Sequence, residues 1–168
     1  MAFEIGDQVV HPQHGVGHVV SLAEREFEPG VTRQYYEIFI SGSTLWVSLD
    51  LPTLGLRKLT GKRQIARCRE ILASPPAPLD EDPRLRQANL LARLKLGTIV
   101  AQCEVVRDLT AYCARKPMNT SIVSFLRMAQ EVLAQEWAIV EDVPLADAVF
   151  EIGSLLDKSK LTISEVVE

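Results

Sequence analysis

Long apolar runs are missing from the sequence, since no stretch approaches the roughly 18 apolar residues that a membrane-spanning helix requires. Residues 1–7 also lack the basic and apolar regions of a signal peptide. These absences predict a cytoplasmic protein with no membrane partner. Its 168 residues, of which 47% are hydrophobic, suffice for one ordinary domain or two small ones with buried cores.

Cysteine is scarce, and the few that occur follow no disulfide or zinc pattern. Their number is odd, they lie in stretches with a helical period, and no CxxC spacing is present. We therefore expect buried free thiols at Cys68, Cys103 and Cys113.

The histidines are also few, and all three lie close together in the sequence, at His11, His14 and His18. They could form a metal site or be surface and turn residues. Asp7 is the only nearby side chain that could complete a tetrahedral shell, so we predict turn histidines and no metal. The glycines of Gly15-Val16-Gly17 precede a strand pattern and suit a hairpin, not a phosphate-binding helix N-terminus.

Catalytic patterns are absent as well. We find no nucleophile with a base, no paired carboxylates at a typical spacing and no motif for a metal-activated water. The sequence thus favours a binding protein without a cofactor over an enzyme.

Charge is unevenly distributed around a net charge of −4. Residues 62–127 hold twelve basic and six acidic residues, whereas residues 128–168 hold two basic and nine acidic ones. The basic part could be an ordinary solvated helix face or a surface that contacts phosphates. Its candidate contact residues are Lys62, Arg63, Arg67, Arg69, Arg84, Arg86, Arg93 and Lys95.

The first 60 residues have a strand pattern, with β-branched and aromatic runs broken by Gly, Pro and polar pairs. Strands are predicted at 8–11, 17–27, 33–40 and 44–48. Four or five short antiparallel strands typically form a small SH3-like or Tudor-like β-barrel. In the last strand, Trp46 alternates with Leu45 and Val47, so one of these two sets faces away from the barrel.

The apolar period becomes helical after residue 61. Ile65, Cys68 and Leu72 share a face of a first helix, which we attach to the barrel and end at about residue 73. The prolines of residues 75–78 then predict a semi-rigid linker at 74–82.

Further helices are predicted at 84–96, 98–115, 120–140 and 144–158, with a tail at 159–168 that is either a short helix or frayed. Short connections imply an antiparallel bundle. Its buried stripes are expected to meet, with Trp137 in the core. The predicted fold class is therefore α+β, with a β-barrel at 1–60 and a C-terminal all-α helical bundle at 83–158.

Residues 3–19, FEIGDQVVHPQHGVGHV, resemble the signature of the CarD family, which also occurs in the polymerase-interacting domain of transcription-repair coupling factor. The similarity continues through VTRQYYEI at 31–38 and GLRK at 55–58, and more weakly from RLRQANL at 84–90 to about residue 158. It implies that the barrel docks on the β subunit of RNA polymerase. The helical domain would reach promoter DNA at the upstream edge of the bubble and affect open-complex stability.

The resemblance also suggests particular site residues. Arg25 matches an arginine of the polymerase contact, and Trp46 occupies another contact position, which favours an exposed tryptophan. Arg84 matches a DNA-contacting position, whereas Gln87 replaces a usual lysine. Together with basic neighbours, the candidate DNA-contacting residues are Arg84, Arg86, Gln87, Arg93 and Lys95.

One departure from the family lies just before the first helix of the helical domain. There, family members that stabilise the bubble have a tryptophan wedge, but this sequence has Asp82, which cannot stack on a base and is repelled by phosphates. An alternative is therefore a polymerase-bound adaptor whose helical domain binds another protein. Its acidic residues would be Glu141, Asp142, Asp147, Glu151 and Asp157. The resemblance and the lack of a heptad seam favour a monomer.

Overall fold

A computed structural model describes the chain over residues 3–50, 56–116 and 120–166, with side chains described to residue 161. The chain is α+β. The strands are β1 (Gln8–His11), β2 (Gly15–Glu28), β3 (Val31–Ile40), β4 (Ser43–Ser48) and β5 (Arg57–Lys58). The helices are α1 (Lys62–Ala73), α2 (Pro83–Lys95), α3 (Ile99–Arg115), α4 (Thr120–Glu141) and α5 (Leu145–Val166).

The strands form one antiparallel sheet in the order β4-β3-β2-β1-β5. All four predicted strands are present, and β5 is added at the edge. The predicted SH3-like or Tudor-like barrel is not closed over the described residues, where the sheet is open between β4 and β5. The two-residue β5 pairs only with Val9 and Val10 of β1, so this end of the sheet has little backbone with which to close a barrel.

One face of the sheet is buried around Phe3, Val9, Val19, Tyr36, Ile38, Ile40 and Leu56. The backbone N–H of Phe3 donates to Tyr36 Oη at 3.0 Å, and the two rings meet edge-on. Leu45 and Val47 pack against this core. Because side chains alternate along a strand, Trp46 lies on the opposite face.

The helices pack around α3, which contacts α1, α2, α4 and α5. One side of α3 meets α4 as the stripes predicted, with Cys103 and Val106 in the same core as Leu133 and Trp137. The other side, through Val105 and Leu109, packs against α2. Trp137 is fully buried as expected, and Cys68 and Cys103 are buried free thiols, whereas Cys113 is half-buried. None of the helices over the described ranges is long and apolar enough to cross a bilayer.

Helix α1 packs in the helical bundle, contrary to its expected attachment to the barrel. Ile65, Cys68 and Leu72 lie in one core with α3, α4 and α5, because those helices offer a matching apolar surface. The proline-rich segment after α1 is also held by the bundle, since the backbone N–H of Ala77 donates to Asp108 Oδ1 at 2.9 Å. It therefore connects two helices of one domain.

The ends of the helices follow local capping rules. The side chain of Thr98 accepts a hydrogen bond from the backbone N–H of Ala101 at 3.1 Å, as expected for an N-cap. Pro144 directly precedes α5, and its carbonyl accepts from the N–H groups of Asp147 and Ala148. Asn119, a residue type that favours the N-cap before α4, lies outside the described residues. Helix α5 runs to Val166, so the described part of the predicted tail is helical.

A buried ion pair joins the sheet to the helical bundle. The guanidinium of Arg57 in β5 donates to both carboxylate oxygens of Glu136 in α4, at 2.6 and 2.5 Å. The backbone N–H of Thr60 donates to the same carboxylate at 2.9 Å, and the Glu136 side chain is fully buried. Nearby, Gly15 has a positive φ, and a Cβ on it would lie 2.1 Å from the side-chain oxygen of Gln135. This glycine thus permits both the turn and the close approach of α4.

We expect Glu136→Ala to lower the free energy of unfolding by about 3–5 kcal/mol, because it leaves the Arg57 guanidinium poorly solvated and unpaired. Urea unfolding at neutral pH measures this loss. The control is Glu131→Ala, an exposed position on the same helix, for which a change within about 0.5 kcal/mol is expected. Equal stability losses for the two variants would contradict a role of the ion pair in holding the domains together.

Candidate functional site

The outward face of the sheet carries the two residues expected to contact polymerase. Arg25 is exposed, and its guanidinium carbon lies 4.8 Å from the ring centre of Trp46, which is half-buried. Phe27 lies 6.1 Å from the Trp46 ring and 4.9 Å from that of Tyr35, which it meets edge-on. We name Arg25, Phe27, Tyr35 and Trp46 the aromatic-basic patch.

The patch results from strand register. Tyr36 and Ile38 point into the sheet core, so Tyr35 points outward, and it pairs with Ala23 of β2 and Ser48 of β4. Our sequence reasoning missed Phe27 and Tyr35, although the alternation in β3 predicts the outward position of Tyr35. A planar cation over an indole and an exposed phenyl ring are typical of residues that dominate protein interfaces.

The candidate DNA-contacting residues of α2 fall into two groups. Arg84, Gln87 and Lys95 are exposed. Arg86 is buried, because its Nη1 donates to Tyr112 Oη at 2.8 Å and its guanidinium stacks over that ring at 4.8 Å. The same nitrogen also donates to the carbonyls of Asp80 and Glu81. The Nη1 donors of Arg86 are thus occupied within the protein, and its side chain is buried.

Arg93 is likewise engaged within the protein. Its Nη2 lies 2.9 Å from Asp108 Oδ2 and 3.7 Å from Glu104 Oε2. The fully buried Asp108 carboxylate also accepts from Arg107 Nε at 2.8 Å. Arg93 therefore shares the buried Asp108 carboxylate with Arg107, and its guanidinium is held against α3 and away from an external phosphate.

Asp82, which we expected at the position of the family's tryptophan wedge, is the N-cap of α2. Its Oδ1 accepts from the backbone N–H of Arg84 at 2.8 Å and of Leu85 at 3.5 Å, and Pro83 occupies the first turn. An aspartate N-cap followed by proline is a strong helix start signal, and the sequence alone could have revealed this role.

A cleft of about 260 Å³ lies between α2, α3 and α4. Its lining is mostly apolar and includes Leu90, Leu109 and Phe125, together with the already bonded Arg86. Ser121 also lines it, but neither a histidine nor a carboxylate is among the lining residues to act as its base. The cleft thus offers no recognisable nucleophilic chemistry.

The histidines form part of the first hairpin. His11 Nδ1 accepts from the backbone N–H groups of Gln13 and His14, at 3.1 and 3.3 Å. Burial, and secondarily the charge of His14, lowers the pKa of His11 to about 4. His18 lies against Phe39. Because Nδ1 of His11 is used in the turn, it is not free to ligate a metal, and the part of the chain described contains no cluster of three potential metal ligands.

Comparison with known proteins assigns both halves of the chain. Residues 3–60 match the model of the CarD-like/TRCF RID domain, and residues 67–152 match the model of the CarD C-terminal domain. The chain therefore belongs to the CarD family. It is also 28% identical over 144 residues to the Bacillus subtilis protein named "Putative transcription factor YdeB", covering 84% of this chain and 94% of that protein. These similarities support a role in transcription.

The capping role of Asp82 can be tested directly. We expect Asp82→Ala to destabilise the protein by about 1 kcal/mol, because two backbone N–H groups at the start of α2 lose their acceptor. Asp82→Asn is the matched control, because its side-chain oxygen can still accept these hydrogen bonds. Its loss of stability should be only a few tenths of the loss caused by Asp82→Ala. Thermal unfolding of the two variants measures the difference, and equal losses would argue against the cap.

Proposed function

We propose that this protein regulates transcription initiation by docking its sheet on the β subunit of RNA polymerase. The observation that carries this proposal is the stacked Arg25–Trp46 pair on an exposed face, beside two further aromatic rings. Family membership supports the same partner. The role is one of binding, with no chemical step.

The edge of the sheet adds a second element to this docking surface. Over the described residues, β4 pairs only with β3, so its other edge presents backbone N–H and C=O groups without a strand partner. Such an edge can accept a strand of another protein, while outward side chains provide specificity. Trp46 lies on β4 itself, so one partner strand could engage both the edge and the patch.

The helical domain would contact promoter DNA through the exposed residues of α2. We keep Arg84, Gln87 and Lys95 in this role and remove Arg86 and Arg93, whose guanidinium groups are engaged within the protein. Contacts of this kind reach phosphates and position a protein without reading sequence. Because Asp82 caps α2, we propose backbone contact in place of a wedge at the bubble edge.

The polymerase contact is tested with the full-length chain and the purified β-subunit lobe of the cognate polymerase. We expect Arg25→Glu and Trp46→Ala each to weaken binding by at least about tenfold, as for central interface residues. Biolayer interferometry measures the dissociation constants. Arg67→Glu, the same charge change on an exposed position of α1, should leave binding unchanged. No binding by the wild-type chain, with its fold verified by circular dichroism, would refute the proposal.

The DNA contact is tested by salt titration of binding to forked promoter DNA. We expect the double variant Arg84→Glu/Lys95→Glu to reduce the slope of log affinity against log salt by about 0.9 for each phosphate that the protein no longer neutralises. Arg86→Gln should lower thermal stability by releasing Tyr112, with little effect on this slope. Arg25→Glu is a charge-reversal control on the sheet, and it should leave this slope unchanged. An unchanged slope in the double variant would exclude α2 as the DNA-binding element.

A second function, that of an adaptor, is favoured because Asp82 caps α2 and because Arg86 and Arg93 are engaged within the protein. If the wild-type chain binds polymerase but shows no salt-dependent DNA affinity, the helical domain instead serves as an adaptor for another protein. The same titration therefore separates the two functions.

A further inference from the structure

Helix α5 is unusual because its sequence is apolar on more than one side. Residues 145–156, LADAVFEIGSLL, contain two charged residues, Asp147 and Glu151. A helix at a protein surface normally has one apolar stripe and a polar remainder, whereas an apolar circumference is typical of a helix covered on all sides.

The structure covers only one side of α5. Ala148, Ile152 and Leu156 are buried in the core shared with α1, α3 and α4. Next to this stripe, Leu145 and Val149 are 51% and 55% exposed, and Phe150, about 100° further round the helix, is 76% exposed. We name these three residues the α5 apolar face. Neighbouring large apolar side chains left in water usually mark a site of interaction.

The charges next to this face are acidic. Asp142, just before the helix, and Asp147, in its first turn, are both exposed. Glu151 is not available to a partner, because it binds Arg69 Nε at 2.5 Å and Trp137 Nε1 at 3.1 Å. An occupant of the face should therefore combine apolar side chains with lysine or arginine.

We propose that the α5 apolar face docks an amphipathic, basic segment of a partner protein. Phe150 is the central anchor, and Asp142 and Asp147 attract the basic residues at the rim. Nucleic acid and anionic lipid would be repelled by the same carboxylates. A second copy of this chain would bring the same acidic groups together, so self-association through this face is disfavoured.

This surface is separate from the sheet and α2, which carry the proposed polymerase and DNA contacts, and it would be the partner site of the adaptor function. Within the described residues, α5 packs against α1, α3 and α4, with no contact to the sheet or to α2. A partner on α5 could therefore be bound while the sheet and α2 are occupied, and the proposal does not depend on polymerase docking.

The test uses the full-length chain and a fluorescein-labelled helical peptide of leucine and lysine, with leucines spaced to form one apolar face. We expect this peptide to bind in an anisotropy titration, and Phe150→Ser to weaken binding at least about tenfold, as for an interface anchor. A peptide of the same leucine pattern with glutamate for lysine should bind at least about tenfold more weakly as well.

Matched controls distinguish binding at this site from non-specific hydrophobic binding and from polymerase docking. Phe39→Ser changes an exposed phenylalanine of the sheet, 45% exposed, and should leave peptide binding unchanged. Arg25→Glu should also bind the peptide normally, whatever its effect on polymerase. Because Phe150 is exposed, Phe150→Ser should unfold at the wild-type temperature, and Val149→Ser provides a second variant of the face.

Three results would overturn the proposal. The first is that the wild-type chain does not bind the peptide. The second is that Phe150→Ser and Val149→Ser bind it as tightly as the wild type does. The third is that the wild type sediments as a dimer and that Phe150→Ser dissociates this dimer. The last result would assign the face to a second copy of the chain.

Discussion

The arrangement of the two domains depends on the ion pair between Arg57 and Glu136. A fully buried carboxylate is costly unless its oxygens are bonded, and here Arg57 and the backbone of Thr60 together provide three donors. Beside it, Gly15 of the first hairpin lies against the Gln135 side chain and has a positive φ, which favours glycine. Hence the CarD-like signature at the start of the chain also contributes to the junction with α4. This junction sets the orientation of the aromatic-basic patch relative to the helices.

Internal pairing also explains the uneven charge along the sequence. Helix α1, from the basic part, packs against α5, and Arg69 binds Glu141 and Glu151 of the acidic part. Asp108 in α3 similarly engages Arg93 and Arg107. The charge of the basic stretch is thus partly neutralised inside the helical domain. On α2, only the basic residues Arg84 and Lys95 therefore remain available to phosphates, which is fewer than the count of basic residues in the sequence suggested.

Local patterns predicted the strands and helices well, because alternation, helical period and capping residues act over a few positions. The partner of α1 could not be derived in this way, since an apolar stripe shows that a face is buried and not what buries it. The burial of Arg86 was nevertheless predictable, because it shares a stripe with Leu90 and Leu94 at spacings of four. The bond from Arg93 to Asp108 depends on tertiary structure, as does the meeting of Phe27 with Trp46 across the sheet.

The use of Asp82 as the N-cap of α2, where the resemblance implies a tryptophan wedge, limits what the helical domain can contribute to the proposed function. Few exposed phosphate contacts bind DNA weakly, and their affinity falls with salt less steeply than that of a protein with many such contacts. Docking of the sheet on polymerase would, however, hold α2 near the promoter, and a tethered group acts at an effective concentration on the order of millimolar. Weak contacts with phosphates then suffice for promoter binding, provided that the junction at Glu136 keeps α2 oriented toward the DNA. On this view, the protein relies on the geometry of its two domains in place of the stacked aromatic ring that the resemblance implies.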